Sequence, residues 1–105
     1  MTGAAVVLVS CPSAEKAAEI ARVLVEERLA ACATVVPSVR SIYRWEGKVQ
    51  DDAEALLLAK TEARRFEDLR QRVLALHPYE VPEVLALPVE AGHRPYLDWI
   101  AESTR

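Results

Sequence analysis

The chain is short of the residues that many functional sites need. Glycine occurs three times in 105 residues. A Gly-rich loop cradling phosphates is therefore excluded, and the nucleophile motif Gly-x-Ser-x-Gly is absent as well. Histidine occurs twice, at His77 and His93, so one chain cannot build a multi-histidine metal cage. The two cysteines, Cys11 and Cys32, fit neither a zinc pattern nor Cys-x-x-Cys. Aromatic residues make up 6% of the chain, which argues against a base-stacking platform. Positive charge has no excess: 13 Lys and Arg stand against 16 Asp and Glu, interspersed, for a net charge of −3. A nucleic-acid footprint needs a basic face, so no nucleic-acid partner is expected. No apolar run approaches the roughly 20 residues of a membrane span, so no membrane association is expected either. Leu8-Val9-Ser10-Cys11 resembles a lipoprotein cleavage site, but no Lys or Arg precedes it and the apolar run is short for a secretory signal. The expectation is a first β-strand in a cytoplasmic protein whose two cysteines are free thiols.

What is present is apolar content. Half the residues are hydrophobic (51%), enough for the core of one domain spanning 1–105. Residues 4–10, AAVVLVS, read as a buried strand stopped at Cys11-Pro12. Ser13 caps a helix expected from Ala14 to Arg28, polar at Glu15, Glu19, Arg22 and Glu26 and apolar at Ala17, Ala21, Leu24 and Val25. The stretch 32–45 is β-rich, and Pro37 within it implies an edge, a bend or a bulge. Trp45-Glu46-Gly47-Lys48 reads as a hairpin turn, after which a strand continues through 53–60. Thr61 is placed to cap a second helix over 62–76, with Phe66, Leu69, Val73 and Leu76 on one face. His77-Pro78 ends that helix, because a residue before proline avoids the helical region. Val84–Val89 reads as a strand, and Pro95 as the first residue of a last helix.

The order β-α-β-β-α-β-α predicts an α+β fold of the ferredoxin-like kind: a four-stranded antiparallel sheet, two covering helices and an extra C-terminal helix. Both arms of the central hairpin look longer than the usual ~5–6 residues of a strand. Overhanging strands carry unpaired backbone groups that invite another chain. A closed homo-oligomer is the expected remedy.

Chemistry concentrates in 77-HPYEVPE-83, which puts His77, Tyr79, Glu80 and Glu83 around two prolines. Imidazole and carboxylate together suit copper, zinc or nickel, and can also form a base with its orienter. The same residues equally suit a proline-braced lead-in to the next strand, and the spacing alone leaves both readings open. Cys32 reads as a small buried hydrophobe or as a thiolate ligand. Tyr43, Trp45, Glu46 and Lys48 gather at the hairpin, as a turn with an aromatic lid or as the rim of a cleft. Lys60 ends an apolar run, either snorkelling to the edge or paired with an acid.

Taken together, 28-RLAACATVVPSVRSIYRWEGKVQ-50, 56-LLLAKT-61, 77-HPYEVPEVLALPV-89 and 96-YLDWI-100 resemble the CutA family of divalent-cation tolerance proteins. Thr34 stands where members often carry Asn, and Arg44 where many carry an aromatic residue. The resemblance implies a tight homotrimer whose long hairpin extends neighbouring sheets. It also implies binding of copper or another divalent cation at clefts between subunits. His77 is then the expected anchor, assisted by Glu83, Glu80 and Cys32. Tyr43, Trp45, Glu46, Lys48, Lys60 and Tyr79 are the expected cleft residues. No obligatory cofactor and no catalytic residue is implied, so the expectation is a non-enzyme. The alternative is a trimeric module that binds a small anionic molecule through its lysines, or one that anchors a partner protein.

Overall fold

Strand β1 (Ala4–Cys11) opens the fold in a computed structural model that describes all residues 1–105. Helix α1 (Ala14–Glu26) starts at Ser13, whose extended backbone lets its Oγ accept the Lys16 N–H at 3.1 Å. The helix ends two residues before the expected Arg28. Arg28 takes the left-handed conformation (φ 59°), with Arg28 N–H bonded to the Val25 carbonyl and Leu29 N–H to the Leu24 carbonyl. Those two bonds close a Schellman cap. Glycine usually signals such a cap; here an arginine occupies the position, so the sequence pattern ran past it.

Strands β2 (Cys32–Trp45) and β3 (Lys48–Glu62) form the long hairpin. Its turn places Glu46 (φ 49°) and Gly47 (φ 78°) both at positive φ, as a two-residue turn matching strand twist requires. The pairing shifts between Val36↔Leu56 and Val39↔Glu54, so Pro37 and Ser38 together oppose one residue of β3. This is the bulge that Pro37 foreshadowed, and β2 is an edge strand, where proline's missing donor is tolerated.

The sheet order is β2-β3-β1-β4, with every neighbouring pair antiparallel. It is the split β-α-β order expected from the element sequence. Strand β1 pairs β3 only from Ala55 to Glu62. The remaining Lys48–Glu54 half of β3 pairs with β2 alone, as a two-stranded ribbon that stretches the molecule to 44 × 25 × 22 Å.

Thr61 does not cap the second helix. It is buried in β3, where its hydroxyl donates to the Leu29 carbonyl at 2.7 Å and ties the strand to the chain leaving α1. A 3-10 turn (Ala63–Arg65) intervenes, and α2 (Phe66–Leu76) begins without a side-chain cap. His77 ends it in extended conformation (φ −81°, ψ 136°), as the following proline demands. Strand β4 (Leu85–Pro88) is shorter than the expected Val84–Val89. Helix α3 (Arg94–Ser103) carries Pro95 in its first turn, one residue later than expected.

Alternation along the strands decides the layers. Val7, Val9, Cys11, Ala55, Leu57 and Ala59 face one way and pack on Ile20, Leu24, Leu69 and Val73 of α1 and α2. On the opposite face Val6, Leu8, Leu56 and Leu58 stay half-buried, while Leu85 and Leu87 are exposed. Helix α3 covers one end of that face, where Ile100 meets Ala4 and Ala31. Leu57 is fully buried at the centre of the main core. Leu57→Ala is therefore expected to cost about 2–5 kcal/mol through lost burial and a residual cavity. The check is the urea midpoint at fixed chain concentration; an unchanged midpoint would contradict this placement of the core.

Candidate functional site

Strand β1 stops at Cys11 while β3 and β2 run on as the ribbon. The segment 77–84 crosses this step, and a cleft of about 720 Å³ opens between segment and ribbon. His77 fixes the crossing. Its Nε2 lies 2.7 Å from the Ser10 carbonyl, which can only accept, and its Nδ1 accepts the Tyr79 N–H at 3.1 Å. Those partners assign the neutral tautomer with its proton on Nε2. The imidazole also packs on the Tyr79 ring, with centroids 4.6 Å apart and planes tilted by 55°.

Tyr79 is in turn aimed at Glu54, its hydroxyl donating to Oε2 at 2.5 Å. Glu54 is only 9% exposed. Burial, and then the bond to Glu54, hold the Tyr79 phenol well above its ordinary range. Glu83 loses water in the cleft and also feels the negative charge of Glu54, so its carboxyl is pushed above the usual carboxylate range. Tyr43 donates to Asp52 at 2.5 Å, and that bond raises its phenol. Glu80 and Trp45 complete the working walls, and no Lys or Arg lines the cleft. None of Glu54, Glu80 and Glu83 belongs to an ion pair; all eight ion pairs lie elsewhere.

The residues singled out in the sequence separate into three places. Tyr43, Trp45, Tyr79, Glu80 and Glu83 do line one cleft. His77 stands behind it with both ring nitrogens engaged, as a brace instead of a free ligand. Cys32 is not with them. It sits opposite Lys60, whose ammonium donates to Thr34 Oγ1 at 2.6 Å and approaches Cys32 Sγ at 3.7 Å. Lys60 is six positions along β3 from Glu54, roughly 20 Å at strand rise. Glu46 lies in the turn and Lys48 follows it, and neither lines the cleft. So the expected four-residue metal set does not assemble in one chain, where no three ligating side chains converge. Within one chain, Lys48 and Lys60 do not line this cleft either. Cys11 is wholly buried, and burial pushes its thiol up to about 11.

Glu54 was missed by the sequence reading. The available signal was a lone acid inside the apolar run 53-AEALLLA-59, placed by alternation with Leu56 and Leu58 instead of on the surface.

A family described as "CutA1 divalent ion tolerance protein" matches this sequence over residues 5–103. The chain belongs to the CutA1 divalent ion tolerance family. It is 58% identical over 99 residues to the divalent-cation tolerance protein CutA of Thermus thermophilus, covering 94% of this chain and 96% of that protein. It is 49% identical to protein CutA of Mus musculus over 91% of this chain. It spans only 54% of that mouse protein's length. Among solved structures, the divalent cation tolerance protein of Thermus thermophilus superposes with a TM-score of 0.94 at 56% identity, covering 97% of this chain and 99% of the other. No helix of this CutA1-family chain is long and apolar enough to cross a membrane.

The Glu83 carboxyl gives the cleft a pH signature. Its pKa is raised in the fold, so the folded chain holds the proton more tightly than the unfolded chain. Stability therefore falls as pH rises through its titration, and this loss is complete above the folded pKa. Glu83→Gln is expected to melt higher than the parent at pH 7, with the gap closing below about pH 4, where both states of the glutamate are protonated. Thermal melts across pH test this, and a gap that does not vary with pH would refute the electrostatic origin.

Proposed function

We propose that the chain is a homotrimeric divalent-cation-binding protein, acting in cation tolerance by holding metal in the cleft beside Glu54. The observation that carries this reading is charge. Glu54, Glu80 and Glu83 line one partly desolvated cleft with no basic residue among the lining residues. Such a site gains most from a small ion of double positive charge.

The donors in the cleft are oxygens, suited to hard and borderline divalent cations. Copper, the cation expected from the resemblance, would gain a nitrogen ligand if His77 exchanged its bond to the Tyr79 amide for the metal. One chain does not complete a three-ligand set, so a neighbouring subunit is the natural source of further donors. Two features support assembly. The ribbon presents unpaired edges, and the face carrying Leu85 and Leu87 is covered by α3 at one end only. Closure of identical subunits into a ring would satisfy both. We read the site as binding metal without turning over a substrate. Two free thiols suit a reducing, cytoplasmic compartment.

Native mass spectrometry with Cu²⁺ and Mn²⁺ titrations tests this. A trimer should gain whole metal increments at low micromolar metal, and Glu54→Gln or Glu83→Gln should each weaken binding by about tenfold, near 1.4 kcal/mol. Graded, non-stoichiometric adducts, or an affinity unchanged in both variants, would refute the site. A monomer at micromolar concentration in sedimentation would refute the assembly.

A further inference from the structure

We infer that the same cleft binds an organic cation: primary ammonium groups carried on an aliphatic chain, the alkyl polyamine class. The inference rests on the reading of the cleft as an uncompensated cation site, and it follows from features that a metal ion leaves unused. At about 720 Å³ the cleft is far larger than a metal ion and lies within the range of roughly 300–1,000 Å³ typical of small-molecule sites. Three of its walls are aromatic: Tyr43, Trp45 and Tyr79, each at least a third exposed. The hydroxyls of Tyr43 and Tyr79 are tethered to Asp52 and Glu54, so these two rings are held before any ligand arrives. A hydrated metal ion gains little from aromatic walls. An ammonium on a methylene chain gains from ring quadrupoles, and its stem covers apolar surface.

The polar groups select within that class. Glu54, Glu80 and Glu83 supply up to three negative charges and no positive group among the lining residues opposes them. Anions are therefore disfavoured, and a neutral apolar ligand would strip water from carboxylates without replacing it. Carboxylates accept N–H bonds, so primary ammonium groups match them where a quaternary ammonium offers no donor. Two or three ammoniums spaced along one chain match the separate acids better than a single charge does.

The test is calorimetric titration of the full chain with spermidine, in chelator-treated buffer at near-physiological salt, beside a parallel Mn²⁺ titration. A linear diol serves as the neutral control. Saturable spermidine binding, absent for the diol, is expected. Trp45→Ala should weaken it roughly three- to tenfold through loss of the aromatic wall, and Glu83→Gln should weaken it by a similar factor. Mn²⁺ binding without saturable spermidine binding below about 10 mM, on the affinity scale of weak ligands, would overturn the inference and leave the metal reading standing. Spermidine binding without Mn²⁺ binding would support the inference and overturn the metal reading. Spermidine heat that is equal in parent, Trp45→Ala and Glu83→Gln would mark non-specific attraction to an acidic protein and overturn the inference.

Discussion

One hydrogen bond holds the site in register: the His77 ring to the Ser10 carbonyl, 2.7 Å long and joining residues 67 positions apart. The carbonyl belongs to the end of β1, just before the sheet narrows to a ribbon, where no further strand partner would steady a crossing segment. The imidazole uses its second nitrogen on the Tyr79 amide, which fixes the direction of the chain after Pro78. Tyr79 then reaches Glu54 on β3. A chain of three bonds thus runs from β1 through the segment 77–79 to β3. Each depends on the one before it, since Tyr79 can aim its hydroxyl only if its own backbone is placed.

Charge is distributed by the same logic. Several arginines on the helices and ribbon are matched: Arg40 with Asp51, Arg70 with Glu67, Arg72 with Glu27. Exposed pairs of this kind add little to stability; the buried core around Leu57 carries that. Their effect is to consume basic groups at the surface while three carboxylates in one cleft go without a basic partner. Withdrawing acids from water and leaving like charges together both oppose folding, as the raised Glu83 carboxyl records. Such a cost, tolerated at one cleft, marks that cleft as the place to look for function.

Much of this was readable from residues alone, and the misses have physical causes. Element order, the Gly47 turn, the Ser13 cap and the stop at His77-Pro78 follow from local chemistry, which a sequence states directly. Arg28 and Thr61 misled because their roles are tertiary. Arg28 adopts a glycine-like conformation since Leu24 and Leu29 are both pulled into the core, and Thr61 hydrogen-bonds 32 residues away instead of capping its neighbour. In the cleft, Tyr79, Glu80 and Glu83 were legible because they share one short motif. Glu54 was not, because its importance comes from what a distant loop lays against it. His77 was legible as important; that both its ring nitrogens brace the segment in one chain is visible only in the geometry.

The bulge at Pro37 links fold to site. Before it, the even-numbered residues Thr34 and Val36 stand opposite Leu58 and Leu56; after it, the odd-numbered Val39 and Ser41 stand opposite Glu54 and Asp52. One extra residue has reversed the phase of β2 while β3 keeps its own. Side chains alternate with a period of two, so without the bulge Tyr43 and Trp45 would project from the face away from Glu54. With it, they join the wall that holds the acids. The residue that breaks a strand's hydrogen-bond ladder is therefore the one that brings the ribbon's aromatic residues to the cleft. An edge strand is where such an interruption costs least, since the lost donor had no neighbour on its outer side.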